Sequence, residues 1–157
     1  MLLYKIIATF FGVGYIGKGG GSVAAFLACF LIFIISKLPL NTNTTLVLLS
    51  LITLIIGVLS AAKVEKIWGK DSKFVVIDEV HGMIISLLFL PLNLLTFLLA
   101  FIIFRYFDIF KPLFIRNTEK FKGGWGVMAD DLLAGVYTNI VMRIVFYLIS
   151  IIYESIF

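Results

Sequence analysis

The sequence predicts an all-α fold: a polytopic membrane helical bundle of about five spanning helices, with a short N-terminal re-entrant or interfacial helix. Three observations predict it. Hydrophobic residues make up 62% of the chain, and mean hydropathy is +1.15. Charged residues are only 14%, against roughly 25% for an ordinary globular domain. Long apolar runs recur between short polar or Pro-containing turns, and such runs are helices, because open sheet edges cannot face lipid. The 157 residues are read as one membrane-embedded domain.

Residues 1–16 are apolar with one lysine, short of the roughly 20 residues a span needs. Lys5 precedes an apolar stretch, but no small-x-small cleavage site ends it, so a signal peptide is not expected. Six of the thirteen glycines crowd into residues 12–21, and Ser22 reads as the N-cap of the next helix. Spans are expected at 23–38 and 46–62, separated by Pro39 and the polar turn Asn41-Thr42-Asn43-Thr44-Thr45. A polar segment, Lys63 to Lys73 with Glu65 and Asp71, leads to a span at 74–90 that carries Asp78, Glu79 and His81 near its start. Pro91-Leu92-Asn93 turns into a fourth span at 94–107, a polar connection covers 108–126, and the last helix is 127–153. No internal repeat or low-complexity linker is evident.

If the five strong helices alternate, segments 17–22, 63–73 and 105–126 share one side of the membrane. They hold ten of the thirteen basic residues, while the turns 39–45 and 91–93 hold none. The positive-inside bias therefore turns the first set to the cytoplasm. Lys37 and Arg143 are exceptions that can snorkel to the far interface. Trp68 and Trp125 fall at the expected cytoplasmic boundary, as an aromatic belt would. The net charge of +4 is a topology signal; no basic run interleaved with aromatics points to nucleic acid.

The same alternation brings Asp78, Glu79, Asp108, Asp130 and Asp131 to that one face. Charge beside hydrocarbon is costly unless it is paired, metal-bound or turned to a polar cavity. One acid at a helix start can serve the dipole for about 0.3–1 kcal/mol. That does not explain Asp78 beside Glu79, or Asp130 beside Asp131. Five carboxylates with one histidine and one cysteine suit a hard cation, so Mg²⁺ is the expected ion and all five are candidate ligands and catalytic groups. Zn²⁺ lacks its His and Cys ligands. Cys29 cannot serve a Cys-x₅-Arg phosphatase loop, because the sixth residue after it is Ile35.

Arg105, Asp108 and Lys111 recur every three residues and share a helix face. They read either as a plain Arg105–Asp108 ion pair or as an anion clamp beside a metal-binding aspartate. The glycine segment adds backbone N–H groups and a helix N-terminus suited to phosphate, with Lys18, Gly21 and Ser22 as candidate phosphate-binding residues. It is not a Walker loop, since Lys18 precedes the glycines. His81 lies on the Asp78 face, where a lone histidine is more often packed than ligating.

Asp78-Glu79-x-x-Gly82, Phe104-Arg105-x-x-Asp108-x-x-Lys111-Pro112 and Gly123-Gly124-x-Gly126-Val127-Met128-x-Asp130-Asp131-x-x-Ala134-Gly135 together resemble the phosphatidylglycerophosphatase A family. Gly21-Ser22-x-Ala24-Ala25 is similar to that family's N-terminal motif, and the resemblance covers about residues 10–140. It implies a multi-pass, Mg²⁺-dependent lipid phosphatase of the bacterial inner membrane, with its site facing the cytoplasm. The expected substrate is the phospholipid phosphatidylglycerophosphate, converted to phosphatidylglycerol and inorganic phosphate. Two departures stand out. The family's Pro-Gly-Thr before Gly-Ser is here Gly17-Lys18-Gly19-Gly20, without the threonine hydroxyl; its Lys-Pro-x-Pro-Ile is Lys111-Pro112-Leu113-Phe114-Ile115.

Other readings leave different marks. A CDP-alcohol phosphatidyltransferase needs an Asp-Gly, and none occurs. A histidine-based lipid phosphatase needs more than one His. An ion transporter or channel would carry its carboxylates at mid-membrane depth. A phosphatase of another lipid phosphomonoester, such as phosphatidic acid, shares every feature of the favoured reading.

Overall fold

Apolar helices gain little by burying apolar surface against one another in lipid, so small side chains and hydrogen bonds decide how they pack. The computed structural model, which describes residues 1–70, 72–118 and 120–156, follows that rule. Asp71, counted above with the polar segment, lies outside the described residues. Seven α-helices and no strand occur among the described residues: α1 Leu2–Ala8, α2 Gly20–Ile35, α3 Thr42–Trp68, α4 Ile77–Leu87, α5 Leu94–Phe110, α6 Ile115–Thr118 and α7 Gly124–Ile156, with a 3₁₀ turn at Val13–Ile16.

The helices are large outside and small inside. On α3, Leu48, Leu51, Ile52, Ile55 and Leu59 are exposed, whereas Ser50, Gly57, Ser60 and Ala61 are buried. A water-soluble helix shows the opposite pattern. Two helices, α3 and α7, are long and apolar enough to cross a membrane. The count of about five spans is not reached by this measure, since α2 has 16 residues, α5 has 17 and α4 only 11.

α4 corrects the expected span at 74–90 most sharply. Its 11 residues rise about 16 Å, roughly half a bilayer core. It is the inner helix of the bundle, with His81 and Met83 almost fully buried. Its far end is made by side chains of α7. Asn139 Nδ2 donates to the carbonyls of Ile85, Ser86 and Leu88 at 2.9–3.2 Å, and Arg143 donates to Leu88 and to Asn139 Oδ1. The last carbonyls of a helix have no partner within it, and leaving them bare in hydrocarbon costs several kcal/mol. Arg143, expected to reach the far interface, is exposed at this end and helps close it.

α4 and α7 run parallel and touch at two glycines. A Cβ on Gly135 would lie 2.5 Å from the Gly82 carbonyl, and one on Gly82 would lie 2.7 Å from the Asp131 carbonyl and collide with the Phe104 ring of α5. Asp78 precedes Gly82 by four residues and Asp131 precedes Gly135 by four. Both carboxylates therefore stand one turn from the crossing, on the same side of it.

Other elements depart in detail. α2 starts at Gly20 with Gly19 as its N-cap at φ 95°, so Ser22 lies inside the first turn and does not cap it. α3 runs on to Trp68, making Lys63, Glu65 and Lys66 helical, and Asn41 caps its start through Thr44. α5 continues to Phe110 with Asn93 as cap. The seven-residue α1 is too short to span, and its Ala8 carbonyl accepts from Val76 N at the start of α4. The glycine loop before α7 packs on α3, where a Cβ at Gly124 would strike the Val58 carbonyl.

Candidate active site

The N-termini of α2 and α4, the C-terminus of α5 and the second turn of α7 meet at one end of the bundle. The last three surround a pocket of about 230 Å³ lined by Asp78, Glu79, Asp108, Lys111, Asp130 and Asp131, with Ser72 and Lys73 at its rim. All five carboxylates read from the sequence border this pocket, from three different helices.

Asp78, Glu79 and Asp131 each offer an oxygen, and these oxygens lie within 4.8 Å of one another. Asp131 is 2% exposed and also touches Asp108; Asp78 touches Glu79 and accepts from the Glu79 backbone N–H at 3.2 Å. Carboxylates this close repel unless something positive lies between them. Lys111 Nζ donates to Asp130 Oδ2 at 2.5 Å, and Arg105 pairs with Asp108. The trio Asp78, Glu79 and Asp131 receives neither of these two pairings. Glu79 Oε2 and Asp130 Oδ1 are buried without a hydrogen-bond partner among the described residues. A hard cation fits this donor set: oxygen ligands only, a partnerless buried oxygen on Glu79, and room for water.

Local sequence explains how each cation is aimed. Lys111 sits at φ 45°, in the left-handed region just past α5, its N–H still bonded to the Phe107 carbonyl. Pro112 bars further helix. The reversal turns the lysine back toward α7, at the cost of a conformation uncommon outside glycine. Arg105 and Asp108 are three residues apart on one helix face and form an ion pair.

The glycine segment packs against the site without lining the pocket. Gly21 faces Glu79, whose Oε1 would collide with any Cβ there, so the absence of a side chain lets α2 close on α4. Ser22 is half-buried next to it, and Lys18 is exposed and does not line the pocket. His81 is packed, its Nδ1 3.0 Å from Thr53 Oγ1. Ser72 and Lys73 were missed as site residues. Their signal in the sequence is position alone, at the end of the polar segment that leads into Asp78.

A profile of the phosphatidylglycerophosphatase A family matches residues 6–146. The chain belongs to that family. It is a phosphatase, and its helices suit association with a membrane. A Bacteroides thetaiotaomicron protein with the provisional name phosphatidylinositol-3-phosphatase is 42% identical over 145 residues, 88% of this chain and 91% of the relative. The phosphatidylglycerophosphatase A of Haemophilus influenzae is 34% identical over 139 residues, covering 87% and 85%. That of Escherichia coli is 33% identical over 136 residues, covering 85% and 77%. No solved structure matches the chain.

Proposed function

We propose that this chain hydrolyses phosphatidylglycerophosphate to phosphatidylglycerol and inorganic phosphate, using Mg²⁺, at the cytoplasmic face of a bacterial inner membrane that it crosses several times. One observation carries the reading: three carboxylate oxygens within 4.8 Å of one another, beside a lysine, in a phosphatase pocket at the end of an apolar bundle. Asp78, Glu79 and Asp131 would hold the ion. Bound there, Mg²⁺ supplies positive charge that polarises a phosphoryl oxygen and lowers the pKa of bound water.

The remaining steps belong to the chain's own groups. Lys111 lies where a phosphate oxygen can share its donors with Asp130 and lose charge as the ester bond breaks. Arg105 fixes Asp108 beside Asp131, so that Asp108 keeps one orientation. Asp130 has one oxygen on Lys111 and one without a partner, which suits it to accept a proton from an attacking water. The N-termini of α2 and α4 add the positive ends of their dipoles toward an anionic headgroup. Lys73, exposed at the rim, draws that headgroup in. Ten of the thirteen basic residues at this end of the bundle support its cytoplasmic orientation.

The 42% identical relative favours a second reading, a phosphoinositide monoester as substrate. One experiment separates them. Purified protein in detergent is given phosphatidylglycerophosphate or phosphatidylinositol 3-phosphate, with Mg²⁺ and then with EDTA. Phosphate release from the first lipid should exceed that from the second at least tenfold and stop with EDTA. The reverse order would transfer the assignment to the phosphoinositide, and no release with any divalent cation would remove the enzyme mechanism proposed here.

A further inference from the structure

A second cavity, of about 250 Å³, lies between α2 and α5. It has no polar side chain. Cys29 and Phe97 form its floor, both nearly buried, while Phe26 and Phe30 of α2 and Leu98 and Phe101 of α5 stand on either side. Phe26 meets Phe101 edge-on at 6.3 Å, and Phe33 meets Phe97 at 5.8 Å. The helices are therefore antiparallel, and the step from Phe26 to Phe33 along α2 gives a trough about 10 Å long.

The trough begins a short way along the same helices from the acidic pocket, with no lining residue in common. Gly21, pressed on Glu79, precedes Phe26 by five residues, about 7 Å along α2. Arg105, paired with Asp108, follows Phe101 by four residues, about 6 Å along α5. The same two helices thus frame the carboxylates at one end and the trough below. The trough's long axis follows the helices, which is the direction a lipid tail takes once its headgroup phosphate is held at the pocket. The rest of α2 shows the contrast: its face toward α4 is small, with Ala24, Ala25 and Ala28 buried, while its α5 side carries phenylalanines around open space.

We propose that the trough between α2 and α5 is the binding subsite for one acyl chain of the lipid substrate. This rests on the lipid-phosphatase reading above, with the phosphomonoester at Lys111 and the carboxylates. The aromatic walls give the tail a fixed apolar bed, and so bind the substrate in one register with its phosphate over the acidic pocket. The chain then prefers long-tailed substrates, because only a tail that reaches between the aromatic walls gains their close packing.

Two measurements test it. First, the unaltered protein in detergent is irradiated with a phosphatidylglycerophosphate that carries a diazirine midway along one acyl chain. Label should concentrate in peptides containing Phe26–Phe33 and Leu94–Phe101, and excess long-chain phosphatidylglycerophosphate should compete it away. Label spread over all lipid-facing helices, as from bulk lipid, would overturn the proposal. So would absence of label on α2 and α5, as when a second copy of the chain covers this face. Second, Cys29→Trp fills the floor. The ratio of kcat/KM for long-chain over dihexanoyl substrate should fall about tenfold, because the indole occupies the space in which the long tail packs; an unchanged ratio would overturn it. Labelling does not require turnover. Labelled α2 and α5 without hydrolysis would keep the subsite and refute the phosphatase mechanism, whereas hydrolysis with dispersed label would do the opposite.

Discussion

At the C-terminus of α4 three carbonyls accept from Asn139, and one of them, that of Leu88, also accepts from Arg143. At its N-terminus, about 16 Å away, it carries Asp78 and Glu79 into a crowd of carboxylates with a buried oxygen left unpartnered on Glu79. Both ends face the same neighbour, α7. Both sit where an unpaired polar group is expensive. One end is closed by protein; the other keeps a buried carboxylate oxygen with no hydrogen-bond partner among the described residues. A helix end built for stability completes its own hydrogen bonds; one built for chemistry keeps ligand positions open and tolerates the resulting repulsion.

The largest expected effect falls on the open end. Asp131→Asn should lower phosphate release from phosphatidylglycerophosphate roughly a thousandfold, about 4 kcal/mol of transition-state stabilisation. Thermal unfolding of the metal-free protein should occur at the same or a higher temperature, since a repelling charge has gone. Lower stability with retained activity would erase the contrast between the two ends.

The crossing that joins the ends comes next. Gly135→Val would drive a branched side chain into the Gly82 carbonyl. A loss of about 3 kcal/mol in stability is expected, together with lower activity, because the spacing of Asp78 and Asp131 depends on the same contact. Unfolding in graded denaturant and phosphate release on the same preparation read both.

At the closed end the order should invert. Asn139→Leu strips the donor from three carbonyls and should cost about 2 kcal/mol of stability, with kcat per folded molecule within about threefold of the parent. Arg143→Lys keeps the charge but loses the planar fork, and about 0.5–1 kcal/mol is expected in the same unfolding assay. An activity loss in either variant larger than its stability loss would mean that the closed end also serves the chemistry.

The sequence carried the open end well and the closed end poorly, and the reason is physical. Acids near hydrocarbon are conspicuous one by one, and lysine counts fix which helix ends share a side. That was enough to bring Asp78, Glu79, Asp108, Asp130, Asp131 and Lys111 to one pocket. The closing of α4 depends on Asn139, more than fifty residues away and ordinary in composition. The length of α4 was hidden too. Residues 88–90 are as apolar as the helix before them, and the chain leaves the helix through Phe89 at φ 57°, with no glycine or asparagine to announce it. Ser22 misled because hydroxyls favour N-caps, whereas Gly19 takes the left-handed position first. Gly82, Gly124 and Gly135 were visible as motif letters, but their work is to let backbones touch across helices, and only the packed structure shows which backbones.

The most direct test of the open end needs no substrate. Thermal unfolding of the purified protein is followed with and without Mg²⁺, for the parent chain and for Asp131→Asn. A cation held by Asp78, Glu79 and Asp131 stabilises the folded state by mass action, so Mg²⁺ at one hundred times its Kd should add about 2.7 kcal/mol. The parent Tm should therefore rise with Mg²⁺, and the Asp131→Asn Tm should not. An equal rise in both proteins, or no rise in either, would contradict a metal site at the N-terminus of α4.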